Sequence, residues 1–307
     1  MEKSRDLLVR ATACDGMVRC VAAITTNLVD EASLRHRVSP TVSAALGRTL
    51  TAGALLGSLL KDTEKVTILL QCTGPIGGIT VEADAHGNVR GYAKNPQVDL
   101  PLTERKKFDV RGIVGGGMLY VLREADYYRT GLFRDPYCGS VPIISGEIAE
   151  DVAYYLTQSE QVPSAVSLGV FVLPDDERFF RVEAAGGFLI QTFPGVADDV
   201  LRNLEASVLA TPYVTEMIRR GMGPREILRT ALGDYAFEIL EEKEIRFACT
   251  CSPERARRIL AALDPEELRV MLREDGGAEM TCHFCNATYR FDATELRALL
   301  SEEDSIH

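Results

Sequence analysis

Tryptophan is absent from this 307-residue chain, histidine occurs only four times, and no long stretch is apolar throughout. The longest apolar segment, 42–60, contains Arg48 and several small polar residues. It falls short of the ~18 or more consecutive apolar residues that a membrane helix needs. It therefore reads as a buried helix of a soluble protein, and no membrane partner is expected. Gly53 and Gly57 within it have GxxxG spacing, which outside a membrane signals close packing of the helix. The first ten residues, MEKSRDLLVR, carry no apolar run followed by small residues, so no signal peptide is expected and the reading is cytoplasmic. In that compartment clustered cysteines more often bind metal or do redox chemistry than form structural disulfides.

Basic charge is scarce as well. The formal net charge is −11, which argues against a protein built to grip phosphate backbones, and no nucleic-acid partner is expected. Arg105-Lys106-Lys107 is too short a cluster to reverse this. The glycine runs 74–78 and 115–117 lack a following Lys-Ser/Thr and fit no dinucleotide fingerprint. They read as turns or bulges, so no nucleotide cofactor is expected. Glu241-Glu242 and Glu266-Glu267 read as solvated faces and not as a hydrolytic couple; no enzymatic centre is expected. Internal repeats and low-complexity tracts are also lacking.

The length favours two domains over one. Residues 234–307 hold 17 acidic and nine basic side chains, a net of −8, against −3 for residues 1–233. That step marks a separate C-terminal unit. Ahead of it, apolar β-branched runs at 7–13 and 18–25 flank Asp15-Gly16 and predict a hairpin. Its alternation puts Cys14 and Cys20 on opposite faces, as small buried hydrophobes. Helices are predicted at 30–37 and 40–60, the second capped by Ser39 before Pro40. Strands follow at 66–72, 78–83, 89–92, 117–123, 141–143, 169–173, 179–183 and 187–192, with helices at 147–158, 196–209, 215–220 and 224–232. Strands grouped with strands and helices with helices indicate an α+β fold. Segment 234–248 is Glu-rich with a thin apolar stripe and reads as a linker holding a marginal helix or strand. Beyond it, helices at 253–263 and 265–274, a strand at 279–281 and a last helix near 292–300 are predicted.

Four of the eight cysteines cluster as Cys249-Thr250-Cys251 and Cys282-His283-Phe284-Cys285, with 30 residues between the pairs. Four thiolates suit one tetrahedral zinc ion, which would staple a unit too small to build much core. His283 is a bystander if the four sulfurs fill the site, and Tyr289 and Phe291 read as packing residues. Either pair can in principle oxidise internally, which would remove the ligands and unfold the unit. A static zinc ribbon stands against that switch on chemistry alone. Two further readings are a zinc-ribbon nucleic-acid-binding protein and a thiol-disulfide oxidoreductase using Cys282 and Cys285. Cys14, Cys20, Cys72 and Cys138 have no assigned role. Cys138 reads as a turn residue within Asp135-Pro136-Tyr137-Cys138-Gly139 and has no nearby histidine.

The C-terminal motifs extend beyond the cysteines: Phe247-Ala248 before the first pair, Glu267-Leu268, Met271-Leu272 and Glu274 between the pairs, and Asn286, Tyr289 and Phe291 after the second. Together with Gln71, residues 74–81, Val89-Arg90-Gly91, Tyr154-Tyr155 and residues 158–163, this pattern resembles the family of the 33 kDa redox-regulated heat-shock chaperone over essentially the whole chain. The resemblance implies an N-terminal α+β chaperone domain (1–233), a metastable linker (234–248) and a four-cysteine zinc redox-switch domain (249–307). It implies one zinc per reduced chain on Cys249, Cys251, Cys282 and Cys285. Oxidation is then expected to form Cys249–Cys251 and Cys282–Cys285 disulfides, release zinc and unfold the switch domain with the linker. The activated form, commonly a homodimer, is expected to hold unfolding client proteins without ATP, with Tyr235, Phe237, Ile239, Leu240, Ile245 and Phe247 becoming accessible.

Overall fold

The Asp15-Gly16 turn forms as its sequence predicts. Strands β1 (Leu7–Ala13) and β2 (Val18–Ile24) pair antiparallel around it, with Cys20 opposite Ala11. The Met17 amide donates to the Cys14 carbonyl at 3.0 Å, and Asp15 and Gly16 take φ of 53° and 85°, the left-handed conformation that a two-residue hairpin of this twist requires. The computed structural model describes residues 5–61, 63–125 and 137–304. The chain divides into two compact units, 1–248 and 249–307.

In the first unit the hairpin continues into a five-stranded sheet with β8 (Ser164–Asp175), β9 (Phe179–Thr192) and β10 (Phe237–Glu244), in the order β10-β1-β2-β9-β8. A second sheet contains β3 (Glu64–Cys72), β4 (Gly78–Asp84), β5 (Asn88–Ala93), β6 (Gly117–Ala125), β7 (Tyr137–Pro142) and β11 (Arg246–Phe247). Its order is β11-β5-β4-β3-β6-β7, with only β11 running parallel to its neighbour. Helices α1 (Thr26–His36), α2 (Pro40–Gly57), α3 (Val110–Val114), α4 (Ala149–Gln158), α5 (Asp198–Ala210), α6 (Val214–Arg219) and α7 (Pro224–Leu232) complete the unit. The α+β reading holds.

Helix α2 is the core element. Ser39 caps it by accepting from the Val42 amide at 3.1 Å, and from Thr41 to Gly57 every residue except Arg48 is buried. Its buried Thr49 hydroxyl donates back to the Ala45 carbonyl at 3.0 Å, so burial leaves that hydroxyl satisfied. Arg48 reaches Glu147 at 2.5 Å. The helix has sheet on both sides. A Cβ at Gly47 would lie 2.8 Å from Val170 Cγ2 of β8, and one at Gly53 would lie 2.6 Å from Val81 Cγ1 of β4. The GxxxG spacing thus serves close approach to a strand. On the outer face of the first sheet, Leu204, Val214, Met217, Ile227 and Leu228 of α5 to α7 pack against Val9, Ala11, Cys20, Phe188 and Ile190. Among the described residues no helix is long and apolar enough to cross a membrane.

Several elements differ from the sequence reading. Residues 179–192 form one strand, where the sequence reading breaks it at 184–186, and Gly186 and Gly187 lie in mid-strand. A Cβ at Gly186 would sit 2.5 Å from the Ala23 carbonyl oxygen, and one at Gly187 would sit 2.6 Å from that of Ser167. Close strand approach accounts for both glycines. Cys138 is an exposed residue of β7 opposite Leu122, not part of a turn; Asp135 and Pro136 lie outside the described residues. Cys14 is only half-buried, whereas Cys20 is buried. Of the two alternatives for 234–248, strand is the one that forms: β10 pairs with β1 over seven residue pairs and β11 with β5 over two. In the second unit, α8 (Pro253–Leu260), α9 (Pro265–Glu274), β12 (Gly277–Thr281) and α10 (Ala293–Asp304) follow the predicted order. A strand not foreseen, β13 (Thr288–Asp292), pairs with β12.

Two outcomes follow from this packing. At Gly57 a Cβ would stand 2.9 Å from the Asp84 carbonyl oxygen and 3.0 Å from Ala83 Cβ. Gly57→Val should therefore destabilise the first unit by about 1–3 kcal/mol, despite the better helix propensity of valine. The check is a lower urea midpoint at unchanged slope. Burial pushes the Cys20 thiol up to about 12, and burial with the Asp151 carboxylate pushes Cys72 up to about 11. Both thiols are neutral in the fold, so their contribution to stability is present below the ordinary thiol value and is lost as pH rises towards 11 and 12. Iodoacetamide at neutral pH should modify exposed Cys138 and spare Cys20 and Cys72, as read by peptide mass mapping.

Candidate metal centre

Both cysteine pairs sit on short irregular segments held by neighbouring regular structure. Cys249 and Cys251 precede α8, whose first turn is fixed by Ser252 accepting from the Arg255 amide at 3.1 Å and by Pro253 at the first helical position. Cys282 follows β12. Its amide donates to the Ala287 carbonyl at 2.9 Å, and its carbonyl accepts from the Asn286 amide at 2.7 Å. Asn286 closes the turn with φ of 58°, a conformation that asparagine tolerates better than most residues. The β12–β13 ladder then pairs Thr281 with Thr288 and Met280 with Tyr289.

These local structures bring four sulfurs together. The Sγ atoms of Cys249, Cys251, Cys282 and Cys285 all lie within 4.8 Å of one another. Two of the approaches run between the motifs, Cys249 to Cys282 at 3.7 Å and Cys251 to Cys285 at 3.3 Å. Sulfur atoms ~2.3 Å from a common tetrahedral centre stand ~3.8 Å apart, so the donor set and its spacing fit a four-thiolate metal site. Burial pushes the Cys285 and Cys282 thiols up. Four charged sulfurs at this spacing therefore require a compensating cation.

One participant was not predicted. The Tyr289 hydroxyl of β13 donates to Cys251 Sγ at 3.0 Å, and that bond pushes the phenol up. The sequence signals only that Tyr289 and Phe291 pack the unit. Both do pack against the unit's apolar cluster, whose buried members are Ala256, Leu260, Leu268, Phe291, Leu296 and Leu299. His283 is exposed and stands outside the sulfur cluster. A thiol-disulfide oxidoreductase would want an exposed cysteine of lowered pKa, and burial acts in the opposite direction on Cys282 and Cys285.

Comparison with known proteins agrees with this geometry. The model of the Hsp33 protein family matches residues 6–292. The 33 kDa chaperonin of Bacillus licheniformis is 46% identical over 298 residues, covering 97% of this chain and 99% of that protein. That of Bacillus subtilis is 45% identical over 295 residues, covering 96% and 98%. The crystal structure of the 33 kDa chaperonin (heat shock protein 33 homolog) of Thermotoga maritima superposes with a TM-score of 0.89 at 34% identity, covering 98% of this chain and 100% of that one. The family match over nearly the whole chain, with the α+β fold and the converging cysteines, places this protein in the Hsp33 family.

Proposed function

We propose that the chain is a redox-regulated, ATP-independent holdase of the cytoplasm, active on unfolding proteins and without enzymatic turnover. The observation that carries the reading is the convergence of four sulfurs, from two motifs 30 residues apart, to within 4.8 Å. Cys249, Cys251, Cys282 and Cys285 would hold one zinc ion in the reduced state. Zinc bound there supplies folding energy to a unit with few buried apolar side chains. Tyr289 steadies Cys251 by donating to its sulfur. The functional division is a chaperone domain at 1–233, a metastable linker at 234–248 and the switch at 249–307.

Activation is oxidation of the ligands. The thiolates of Cys249 and Cys251 would give two electrons to one molecule of hydrogen peroxide, which takes two protons from solvent and leaves as two waters, and a disulfide closes. Cys282 and Cys285 repeat the step with a second peroxide. Disulfide sulfurs are poor ligands, so zinc is lost, and with it the link between the two ends of the switch unit.

The linker is suited to release. Along β10 only alternate residues are half-buried, and Leu240 is 55% exposed. Several of its contacts are ion pairs on exposed side chains, such as Arg225–Glu242 at 2.5 Å and Arg5–Glu244 at 2.6 Å, which contribute little in water. Once free, Tyr235, Phe237, Ile239, Leu240, Ile245 and Phe247 would offer apolar surface to clients, and the acidic residues would keep the opened segment soluble. The activated form is assigned as a homodimer.

Peroxide at elevated temperature should release one zinc per chain, consume four thiols and switch on suppression of client aggregation together. Zinc release without gain of protection would sink the switch. Peptide mapping should find Cys249–Cys251 and Cys282–Cys285; bonds between the motifs would overturn that pairing. Cys249→Ser should lower zinc affinity by at least about tenfold, and Tyr289→Phe by a smaller factor, within the roughly 10–100-fold range of residues that support ligands. Competition with a chromogenic chelator measures both, and unchanged affinity of Cys249→Ser would remove it from the ligand set.

A further inference from the structure

Phe179 occupies a backbone position that suits glycine. It closes the β8–β9 hairpin opposite Asp175, whose Oδ1 accepts from the amides of Glu177 at 3.1 Å and Arg178 at 3.2 Å. There Phe179 takes φ of 71°. A bulky residue in the left-handed region is an outlier, and hairpin loops of this kind normally carry glycine at it. Burial does not offset the strain, because Phe179 is 76% exposed. A local rule broken with no gain to the fold points to a use elsewhere.

The surroundings indicate that use. The hairpin tip and the C-terminal end of α1 border a groove of about 320 Å³. Leu34, Val38, Phe179 and Phe180 give it apolar walls. Leu34 is itself 57% exposed, and the two phenylalanine rings meet edge to face at 6.4 Å. The groove's charges are unequal. Asp30 is engaged by the Arg178 guanidinium at 3.1 Å and the Val182 amide at 3.0 Å. The Arg37 guanidinium, also lining the groove, has no hydrogen bond or ion pair among the described residues. An unneutralised cation beside exposed aromatic surface complements a carboxylate next to an apolar side chain. Arg37 is the one lining charge left over once Arg178 is set against Asp30.

We propose that this groove captures extended acidic-aromatic segments of unfolding polypeptides, seating an aromatic side chain against Phe179 and Leu34 and an adjacent carboxylate on Arg37. The inference rests on the holdase reading for its biological partner. It concerns residues distant in sequence from both the cysteines and the linker.

The test uses the full-length chain, reduced and peroxide-treated, and fluorescein-labelled twelve-residue peptides alternating Phe with Glu, Phe with Lys, or Ser with Glu. Fluorescence anisotropy should show the Phe/Glu peptide binding tightest. Phe179→Gly should weaken it by about tenfold, as loss of an aromatic anchor does, while the thermal midpoint holds or rises because glycine accepts the left-handed backbone. Arg37→Glu should reverse the preference between the Phe/Glu and Phe/Lys peptides. Undiminished binding to Phe179→Gly, or an unchanged preference in Arg37→Glu, overturns the groove. Aggregation assays separate this from the parent reading. An oxidised wild-type chain that protects clients, matched fully by Phe179→Gly, defeats the groove and leaves the holdase standing. A wild-type chain that never protects clients but binds the Phe/Glu peptide through Phe179 defeats the holdase and leaves the groove.

Discussion

Four sulfur atoms within 4.8 Å of one another can be charged together only around a cation, and that constraint governs the smaller unit. Its helices are short, its hairpin has five residues a side, and its apolar cluster has six buried members. Ordering such a segment costs backbone entropy, and burial of six apolar side chains offsets only part of that cost. The Ser252 cap, the Asn286 turn and the Tyr289 hydroxyl all act at the sulfur cluster or next to it. The sulfur cluster is thus the point on which the local structures of this unit converge.

The larger unit depends on nothing comparable. Helix α2 is enclosed by sheet on both sides, and its glycines allow an approach that larger residues would block. Between these extremes lies segment 234–248, which follows the first unit's sheets as strand yet buries little of itself. Phe237 and Ile239 touch the apolar cluster, and Ile245 and Phe247 are buried, but most of the other residues are charged. Apolar burial is thus much thinner along 234–248 than along α2.

How much of this was legible in sequence varied with the kind of signal. Asp15-Gly16, Ser39-Pro40 and the cysteine pairs act through local chemistry, and each appears where its sequence puts it. The core helix was recognisable because its apolar run is long. Signals that depend on a distant partner were lost. The break read at 184–186 disappears once β2 and β8 stand on either side of Gly186-Gly187. Cys138 resembles a turn residue until Leu122 lies across from it. Tyr289 could be read as a packing residue, but no pattern announces that its hydroxyl meets Cys251 Sγ. Phe179 gave no sequence signal at all, since its oddity is a backbone angle.

The position of β10 carries one more implication. It is the outermost strand of its sheet, and β1 lies directly beneath it along seven residue pairs. If β10 leaves, β1 becomes the boundary strand, and its outward amides and carbonyls stand without partners. Such a border accepts any extended backbone whatever its side chains. Detaching one acidic strand would thus create a template that reads the main chain of another polypeptide, a form of recognition indifferent to sequence.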